Sequence, residues 1–579
     1  MAVTHLPAPL ARIPLLRSLE RRRRLPRLLT ALRGYDRRVF GADLAAGLTV
    51  GLVALPLAMA FAIASGLSPQ AGLYCAVVTG FVVSALGGTR TQIAGPTGAF
   101  VVVVAGIAAR HGIDGLFTCT MMAGVLLVAM GLTGMGAAVR FIPRPVVLGF
   151  TNGIAVLIAS TQIRDLFGLR LASVPGEFWP RLVALAAASH SISWAATGVA
   201  AAGLALIVVT NRFVPRVPGT ILALVAMTIA ARLLHLPIET IGTRFGGIPS
   251  GLPKIAIPTF HPSLVPGLIA PAVTVAMLGA IESLMSAMVA DKMSRDRHNS
   301  NVELVAQGVA NIVSPLVGGL PATGAIARTA TNIRSGAMTP VAGIVHALTL
   351  LLILLVAAPL AAAIPLAVLA AILMVVSWNM GEWREIPELL RLTKTDVSVW
   401  IVTFGLTVFA DLTVAVEVGM VLAALLFIRR VADTTTVSAV TDEYVRDGHA
   451  HSLQHHDIPD YVRIFRIHGP FLFGATDKLH VVTDHIDALP DIVILRLRNM
   501  TALDGTGLRA IEELADALHQ ANRELILCGA KHQPSRLMAR ADFHRRVGDA
   551  NICANVREAL ARAAQLRELR RLAREGAVA

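Results

Sequence analysis

Apolar segments long enough to cross a membrane recur between Asp43 and Ile428. A helix of roughly 20 apolar residues spans the hydrocarbon core of a bilayer, and about fourteen such segments can be counted here. Of the 579 residues, 55% are hydrophobic and only 15% are charged, which excludes an ordinary soluble protein. The sequence therefore predicts an α-helical polytopic membrane protein. The predicted spans are approximately residues 43–65, 70–87, 95–109, 116–139, 145–167, 194–210, 218–235, 270–290, 302–316, 322–338, 340–358, 361–378, 396–410 and 413–428.

The charges of the connecting loops predict the orientation. Cytoplasmic loops are enriched in Lys and Arg, and every inner loop is basic when the N-terminus is placed in the cytoplasm. The N-terminal tail is also basic, through Arg21–Arg24 among others, and has no apolar run, so no cleavable signal is predicted. The basic residues of the inner loops are Arg90, Arg140, Arg144, Arg212, Arg216, Lys292, Arg295, Arg297, Arg334, Arg384, Arg391, Lys394, Arg429 and Arg430.

The formal net charge of +14 is concentrated in the tail, the loops and the far C-terminus. This distribution favours contact with anionic lipid headgroups, and we expect no nucleic-acid partner. The four cysteines, Cys75, Cys119, Cys528 and Cys553, have no CxxC or metal-ligand spacing, so no disulfide framework, metal site or cofactor is predicted. No Ser-His-Asp arrangement is apparent in the sequence either, and we do not expect an enzyme.

Two of the predicted spans, the third and the tenth, begin with residues that interrupt a helix. Gly95–Phe100 and Pro321–Ile326 each combine Pro, which lacks a backbone donor, with Thr, which can cap a helix, and with small Gly and Ala. The odd offset of seven spans predicts two inverted repeats of seven spans each. The positive N-termini of two such half-helices can bind an anion near the membrane midplane. The predicted anion-site residues are Thr97, Gly98, Ala99, Phe100, Thr323, Gly324 and Ala325.

An alternative interpretation is that Thr-Gly-Ala is a common tripeptide in membrane segments rich in Ala and Gly.

Charged residues inside the spans indicate function more strongly, because a charge at mid-membrane is costly. Glu282 lies in the middle of predicted span 8, where burial favours the neutral form and allows proton exchange; alternatively, it bonds only to backbone groups freed by the broken helices. Arg328, one turn into span 10, could add charge to the anion site, lock two domains together or extend to the cytoplasm. We expect His346, Asp411 and Glu417 to be helix-end or packing partners.

The chain changes character after Arg430, where polar residues dominate. Period-two alternation predicts strands at 461–467, 491–497 and 524–528, and the intervening segments 477–489 and 507–522 are predicted to be helical. This pattern indicates a small cytoplasmic α/β domain. Its turn Asp504–Gly507 could cradle a phosphate or could be satisfied by its own helix cap, and it lacks the Lys of a nucleotide-hydrolysing loop. The predicted domain boundaries are 1–42 (basic tail), 43–430 (membrane domain), 431–455 (linker), 456–565 (α/β domain) and 566–579 (basic C-terminal tail).

Five stretches of the sequence resemble the SulP family of anion transporters, and the resemblance runs from Asp43 to about Arg562. They are ALPLAMAFA (54–62), SPQAGLY (68–74), AGPT (94–97), LGAIESL (278–284) and AIART (325–329). The resemblance implies a core domain moving against a gate domain, a C-terminal STAS domain and a homodimer in a bacterial inner membrane. It is closest to the bacterial branch that includes proton-linked C4-dicarboxylate carriers.

The chain departs from the family pattern at two places. Many relatives have Gln where this chain has Leu57, which implies that this polar substrate contact is missing. Related anti-sigma-factor antagonists carry a phosphorylated Ser where Gly505 follows Asp504, which puts that phospho-switch in doubt.

The resemblance also bears on the coupling ion. Sodium-coupled relatives have Asp at the position of Glu282, with hydroxyls below it and in span 10; here Ser286 supplies the first hydroxyl, but Ile326 occupies the place of the second. Protons are therefore favoured over sodium. The expected function is secondary active transport of a small oxyanion, of the sulfate type. Three alternatives stay open: a bicarbonate or C4-dicarboxylate carrier, an anion channel, and a membrane-bound regulator that signals through its STAS domain.

Overall fold

Long apolar helices make up most of the first part of the chain in the computed structural model. The structure describes residues 25–136, 143–171, 174–214, 218–247, 251, 255–259, 261–410, 412–439 and 458–576. Contacts divide the chain into two compact units, Met1–Val421 and Leu422–Ala579. Several residues considered above lie outside the described residues: Arg21–Arg24, Arg140, Arg216, Asp411, the side chain of Glu417 and residues 440–455 of the predicted linker.

Each predicted span contains a helix. Eight helical segments of the described residues are long and apolar enough to cross a membrane, and the full number of spans stays a prediction. The elements are, in chain order, α1 (Arg27–Ala31), α2 (Arg37–Ala64), α3 (Pro69–Leu86), β1 (Ala94–Gly95), α4 (Gly98–Thr133), α5 (Arg144–Phe167), α6 (Phe178–Ala187), α7 (Trp194–Phe213), α8 (Gly219–Leu233), α9 (Ile241–Phe245), α10 (Val265–Ser294), α11 (Ser300–Val313), β2 (Thr323–Gly324), α12 (Ile326–Arg334), α13 (Val341–Ala361), α14 (Leu366–Met380), α15 (Ile386–Leu390), α16 (Lys394–Phe409) and α17 (Leu412–Thr434).

Helix α4 contains both predicted spans 3 and 4. They are separated at Gly112, whose φ of 71° and ψ of −176° are not helical. Glycine adopts a positive φ at little cost, so the chain can break there and leave a half-length helix on the N-terminal side. Both half-helices, the first part of α4 and the whole of α12, begin a few residues later than predicted because the preceding residues form β1 and β2.

Helix contacts repeat with the predicted offset of seven spans. Helix α13 packs against α2 and α3, and the equivalent pairs place α4 against α10 and α11. In the same way, α5 packs against both α14 and α16, and α14 packs against α7. This is the contact pattern expected of an inverted repeat. Helices α2–α4 and α10–α13 form one group, which we call the core domain, and α5, α7, α8, α14 and α16 form the other, the gate domain.

Glycines allow close contact between α4 and α11 inside the core domain. A Cβ at Gly124 would lie 2.7 Å from the backbone oxygen of Gly308, and a Cβ at Gly308 would lie 2.5 Å from that of Gly124. Small residues at helix crossings let backbones approach closely in membranes, where packing rather than the hydrophobic effect drives association.

The second unit contains a five-stranded sheet and several helices. The elements are β3 (Thr436–Ala439), β4 (Val462–Phe471), α18 (His480–Thr483), β5 (Ile492–Leu503), α19 (Gly505–Gln520), β6 (Glu524–Cys528), α20 (His532–Arg540), α21 (His544–Val547), β7 (Ile552–Cys553) and α22 (Val556–Gly576). The strand order in the sheet is β3-β4-β5-β6-β7. β3 is antiparallel to β4, and the other neighbouring pairs are parallel. Apolar clusters lie on both faces of the sheet, one involving α19 and the other α22.

The three predicted strands and the helix at 507–522 are confirmed by β4, β5, β6 and α19. The continuous helix predicted at 477–489 is wrong. That region contains two short 3-10 segments, Phe473–Leu479 and Ile486–Ala488, on either side of α18. Its buried residues are Ala475, Leu479 and Val482, an apolar stripe of only two turns, which anchors the segment without requiring a longer helix.

We predict that Gly308→Ala destabilises the membrane unit, because its methyl group would collide with the backbone of α4. Overpacking of this kind costs about 1–3 kcal/mol. Thermal unfolding of the purified protein in detergent should show a lower midpoint for this variant. Gly405→Ala on α16 is the control, since a Cβ there would meet no described atom within 4 Å. Equal midpoints for the two variants would contradict the proposed packing.

Candidate functional site

The two predicted helix breaks meet in the core domain. β1 and β2 pair antiparallel, with Ala94 opposite Gly324 and Gly95 opposite Thr323. The amide of Ala325 extends the ladder by donating to the carbonyl of Ile93 at 2.8 Å. Backbone polar groups inside a membrane must find partners within the protein. Each break therefore supplies partners for the other.

The two half-helices start at opposite ends of this ladder. Two residues separate the end of β1 from the start of α4 at Gly98, and one residue separates the end of β2 from the start of α12 at Ile326. Because the strands are antiparallel, the two helices run in opposite directions from neighbouring starting points. The first amides of any helix have no intrahelical acceptor and carry partial positive charge. The geometry therefore brings two positive helix ends together.

Glu282 of α10 lies beside the first break. The hydroxyl of Thr97 donates to Glu282 Oε2 at 2.9 Å. Thr97 immediately precedes α4 but makes no side-chain cap to it, so the expectation that this threonine caps the helix is wrong. Thr97 is buried, whereas Glu282 is only half-buried. Glu282 is therefore less enclosed than the threonine that donates to it.

Arg328 lies between the two helix starts. Its side chain is 2% exposed, and its Nη2 donates to the carbonyl of Pro96. The other terminal nitrogen, Nη1, has no hydrogen-bond partner among the described residues. A Cβ at Gly95 would lie 2.4 Å from Nη1, so a side chain there would require the guanidinium to move. The Arg328 side chain is thus enclosed by the protein, which disfavours the predicted alternative that it extends to the cytoplasm.

Helix α10 also holds the second break. The hydroxyl of Thr323 donates to the carbonyl of Gly279 at 3.0 Å and lies 2.7 Å from Ser283 Oγ. Ser283 Oγ in turn accepts the amide of Gly324 at 3.0 Å. The donors of Thr323, Gly324 and Ala325 are thus occupied within the protein. On this side, the amides without an intrahelical acceptor are those that begin α12, at Ile326 and Ala327.

Gly324 packs closely against Gln92. A Cβ at Gly324 would lie 1.7 Å from Gln92 Nε2, so a larger residue here would disturb Gln92.

Ser286, the predicted coupling residue below Glu282, bonds to the second half-helix. Its hydroxyl donates to Thr329 Oγ1 at 3.1 Å, and Thr329 Oγ1 also accepts the amide of Ile93 at 3.1 Å. Ser286 is fully buried. These bonds tie α10, α12 and the residue before β1 together.

The remaining residues of the first break contribute backbone groups rather than side chains to the site. Ala99 and Phe100 are each 2% exposed. A Cβ at Gly98 would lie 3.0 Å from Ile158 Cδ1 and 3.3 Å from Met380 Sδ, both on gate-domain helices. The start of α4 is therefore one of the places where the core domain contacts the gate domain.

Sequence reasoning missed Gly279 and Ser283, although a signal was present. With Glu282 and Ser286 they follow the spacing i, i+3, i+4, i+7, which is one face of a helix. It also missed Gln92, two residues before β1, whose Nε2 donates to the carbonyl of Ser283 at 3.2 Å. No local pattern marks this contact of Gln92, because Ser283 is 191 positions away in the chain.

A Ser-His-Asp arrangement, which the sequence did not reveal, joins the end of α10, the following loop and the start of α11. His298 Nδ1 lies 2.7 Å from Asp291 Oδ2, and His298 Nε2 lies 2.9 Å from Ser300 Oγ. Asp291 Oδ1 also accepts the amide of His298 at 2.9 Å. The residues are close in sequence, and their bonds close this loop tightly at the start of α11.

The remaining sequence candidates make structural contacts or none. His346 is fully buried, and neither ring nitrogen has a hydrogen-bond partner in the described part of the chain. All four cysteines are free. Burial raises the pKa of the Cys528 thiol, in the second unit, to about 12, so this thiol stays protonated at neutral pH. Among the described residues, no group of three or more His, Cys, Asp and Glu is placed to hold a metal.

The turn before α19 has the hydrogen bonding of a helix cap. Asp504 Oδ1 accepts the amide of Gly507 at 2.7 Å, and Oδ2 accepts that of Phe473 at 3.0 Å. The carboxylate thus occupies the position that a phosphate would take. This favours the capping interpretation of the loop over phosphate binding.

Residues 40–403 match the Sulfate permease family, and residues 454–559 match the STAS domain. The first match covers more than half of the chain, and the chain therefore belongs to this family of membrane anion transporters. The predicted resemblance to the SulP family is confirmed. Named members of the family are transporters, which are not enzymes.

Two relatives and one fold neighbour illustrate the similarity. The chain is 40% identical to "Putative sulfate transporter YvdB" of Bacillus subtilis over 519 residues, which cover 89% of this chain and 96% of that protein. It is 32% identical to the bicarbonate transporter BicA of Picosynechococcus over 522 residues, covering 87% and 91% respectively. The solved structure of murine Solute Carrier 26 family member A9 shares the fold, with a TM-score of 0.85, 18% identity and 95% coverage of both chains.

We predict that Gly95→Ala reduces anion uptake strongly, because the added methyl group displaces the guanidinium of Arg328. Uptake by proteoliposomes, normalised to reconstituted protein, measures the effect. Gly106→Ala, on the helix α4 that follows the first break, is the control, since a Cβ there would meet no described atom within 4 Å. Wild-type uptake by Gly95→Ala would show that the position of Arg328 is unimportant.

Proposed function

We propose that this protein is a proton-coupled secondary active transporter of a small oxyanion of the sulfate type. The observation that carries the proposal is the meeting of two half-helix starts beside a buried guanidinium and a half-buried carboxyl group. The helix ends and Arg328 attract an anion, and Glu282 can carry the proton that accompanies it. Two relatives bear sulfate or bicarbonate in their names, which supports a small oxyanion.

The anion site that we propose uses backbone donors from both breaks. Gly98 and Ala99 begin α4, and Ile326 and Ala327 begin α12, so their amides lack intrahelical acceptors. Nη1 of Arg328, which has no partner in the described residues, supplies a charged donor. Thr323, Gly324 and Ala325 then position the second helix end through their bonds to α10 and Ile93, while Phe100 encloses the site.

Glu282 is the proposed proton carrier. The Thr97 hydroxyl donates to its carboxylate, and the partial exposure of Glu282 gives protons access. Two features disfavour sodium as the coupling ion: Ile326 offers no hydroxyl at the start of α12, and the Ser286 hydroxyl is already bonded to Thr329. The alternative that Glu282 only satisfies freed backbone groups has less support, because its observed partner is a side-chain hydroxyl.

Transport then follows from movement of the core domain against the gate domain. The anion binds at the start of α4, where Gly98 contacts Ile158 and Met380 of the gate domain. Rocking or elevator-like displacement of the core domain exposes the fixed site to each side of the membrane in turn. We propose that the N-terminus and the STAS domain lie in the cytoplasm, as the basic inner loops indicate, and that the protein is a homodimer, which light scattering in detergent can test.

Bicarbonate is the second candidate substrate. The solved transmembrane domain of the cyanobacterial bicarbonate transporter BicA is 34% identical to this chain, with a TM-score of 0.59, and the match covers 67% of this chain and 98% of that domain. Helix ends recognise charge more than shape, so a C4-dicarboxylate is a further candidate substrate.

We predict that Glu282→Gln abolishes uphill, acid-stimulated sulfate uptake while exchange of internal for external sulfate continues at a reduced rate. The neutral amide imitates the protonated carboxyl group and cannot release a proton. Uptake and exchange in proteoliposomes, with and without an imposed pH gradient, separate the two activities. Thr97→Ser should retain coupled uptake and Thr97→Val should impair it. Undiminished pH-driven accumulation by Glu282→Gln would refute this role.

We also predict that unlabelled sulfate competes with labelled sulfate uptake better than bicarbonate or succinate, and that uptake saturates and concentrates sulfate. A channel would not concentrate sulfate against its gradient.

The same measurements on a chain truncated after Thr434 should show a lower rate or yield with an unchanged order of competitors, because the STAS domain lies outside the site. If truncation abolished transport in a folded protein, a regulatory or signalling role for this domain would gain support; if it altered the preferred anion, our assignment of the two domains would be wrong.

A further inference from the structure

A second carboxyl group is buried in the core domain, and the proposed transport cycle does not use it. Glu303, in the first turn of α11, is 0% exposed. Its Oε2 accepts the amide of Gly88 at 2.9 Å and lies 2.7 Å from Thr89 Oγ1. Its Oε1 has no hydrogen-bond partner in the part of the chain that the structure describes. A buried carboxylate with an unpartnered oxygen is costly when charged, so the site favours binding a proton.

The charged groups around Glu303 are paired with one another. Arg27 of α1 and Arg90 after α3 both contact Asp296, at 3.3 and 3.1 Å, and His298 contacts Asp291 at the end of α10. The close contacts of α4 with α11 involve Gly124, Val128 and Gly131, none of which can titrate. The nearest positive charges are therefore already compensated by acidic partners of their own.

A chain of side chains leads from Glu303 to the second helix break. Thr89 Oγ1 lies 3.2 Å from Gln92 Oε1 as well as 2.7 Å from Glu303. Gln92 Nε2 donates to the carbonyl of Ser283, which fixes the orientation of the amide. Gln92 also packs directly against Gly324, where a Cβ would lie 1.7 Å from Nε2. This series of side-chain contacts thus ends at the residues that hold the start of α12.

Thr89 has a single hydroxyl hydrogen, and two acceptors lie within its reach, Glu303 Oε2 and Gln92 Oε1. When Glu303 is charged, Thr89 donates to its carboxylate, and Gln92 Oε1 loses this donor. When Glu303 binds a proton, its own hydroxyl can donate to Thr89 Oγ1, and Thr89 is then free to donate to Gln92. One proton bound at Glu303 therefore reverses the bond and adds a hydrogen bond to Gln92, with no other bond formed or broken.

We propose that Glu303 is a second proton-binding residue of the transport cycle, acting as a positioning residue that controls, through Thr89 and Gln92, how firmly the start of α12 is held. This proposal rests on the proposed function of the same site. It differs from the role of Glu282, because Glu303 is enclosed and does not contact the anion. Protonation of Glu303 stabilises β2 and the start of α12 through Thr89 and Gln92.

Direct detection of the proton tests the proposal independently of transport. Infrared difference spectra of the purified full-length protein, taken between acid and alkaline pH, should contain the carbonyl stretch of a protonated carboxyl group. That component should be missing from Glu303→Gln and present in Glu282→Gln. If Glu303→Gln leaves the spectrum unchanged, Glu303 does not titrate and the proposal fails, whatever the result for Glu282.

Sulfate and bicarbonate uptake test the consequence of protonation. Glu303→Gln holds the neutral arrangement at every pH. The ratio of uptake at acid pH to uptake at alkaline pH should therefore fall by about two- to tenfold, the range expected for one hydrogen bond. KM should change little. Thr89→Val should flatten the profile equally, and adding Glu303→Gln to it should have no further effect. Thr89→Ser, which keeps the hydroxyl, should restore the wild-type profile.

A purely structural role gives a different pattern. It would lower uptake by Glu303→Gln and Thr89→Val equally at every pH and leave the shape of the profile unchanged, which would overturn the proposal. A wild-type protein without any pH dependence of uptake would refute proton coupling by either residue, and the infrared result would then show whether Glu303 still binds a proton.

Discussion

The pairing of two interrupted helices in the middle of the membrane unit is the constraint on which the rest of the site depends. A chain that leaves the helical conformation inside a bilayer exposes amides and carbonyls that water cannot reach. Here the two breaks meet as β1 and β2, and each satisfies the backbone of the other. Because the ladder is antiparallel, it also places two helix N-termini side by side. One solution to a hydrogen-bonding problem thus creates a region of positive potential.

Helix α10 stabilises this arrangement from one face. Gly279 and Ser283 hold the second break, Glu282 receives the hydroxyl of the first, and Ser286 bonds to α12. The group that we propose to carry the proton is therefore one turn or less from groups that define the shape of the anion site. A change of charge at Glu282 acts on Thr97 directly, without a long pathway.

Local sequence patterns were sufficient to predict the positions of the apolar helices, the two breaks and the strands of the C-terminal domain. Each of these depends on residues close together in the chain, such as the Pro and Gly of Gly95–Phe100. The partners of Thr97, Gly324 and Arg328 could not be predicted in this way, because they come from other helices. The expected role of Thr97 as a cap was wrong for this reason: a threonine beside a break has several possible hydrogen-bond partners, and tertiary contacts select one.

The contact between Gly95 and Arg328 has a consequence for how such a site can diverge. The guanidinium fills the space that any side chain at position 95 would need. The two positions, more than 200 residues apart and in opposite repeats, therefore cannot change independently. A descendant that replaced Arg328 with a small neutral residue would gain freedom at position 95, and a descendant that acquired a side chain at 95 would have to give up the arginine. Pairs of substitutions at these positions would then mark where a lineage has altered the charge of its binding site.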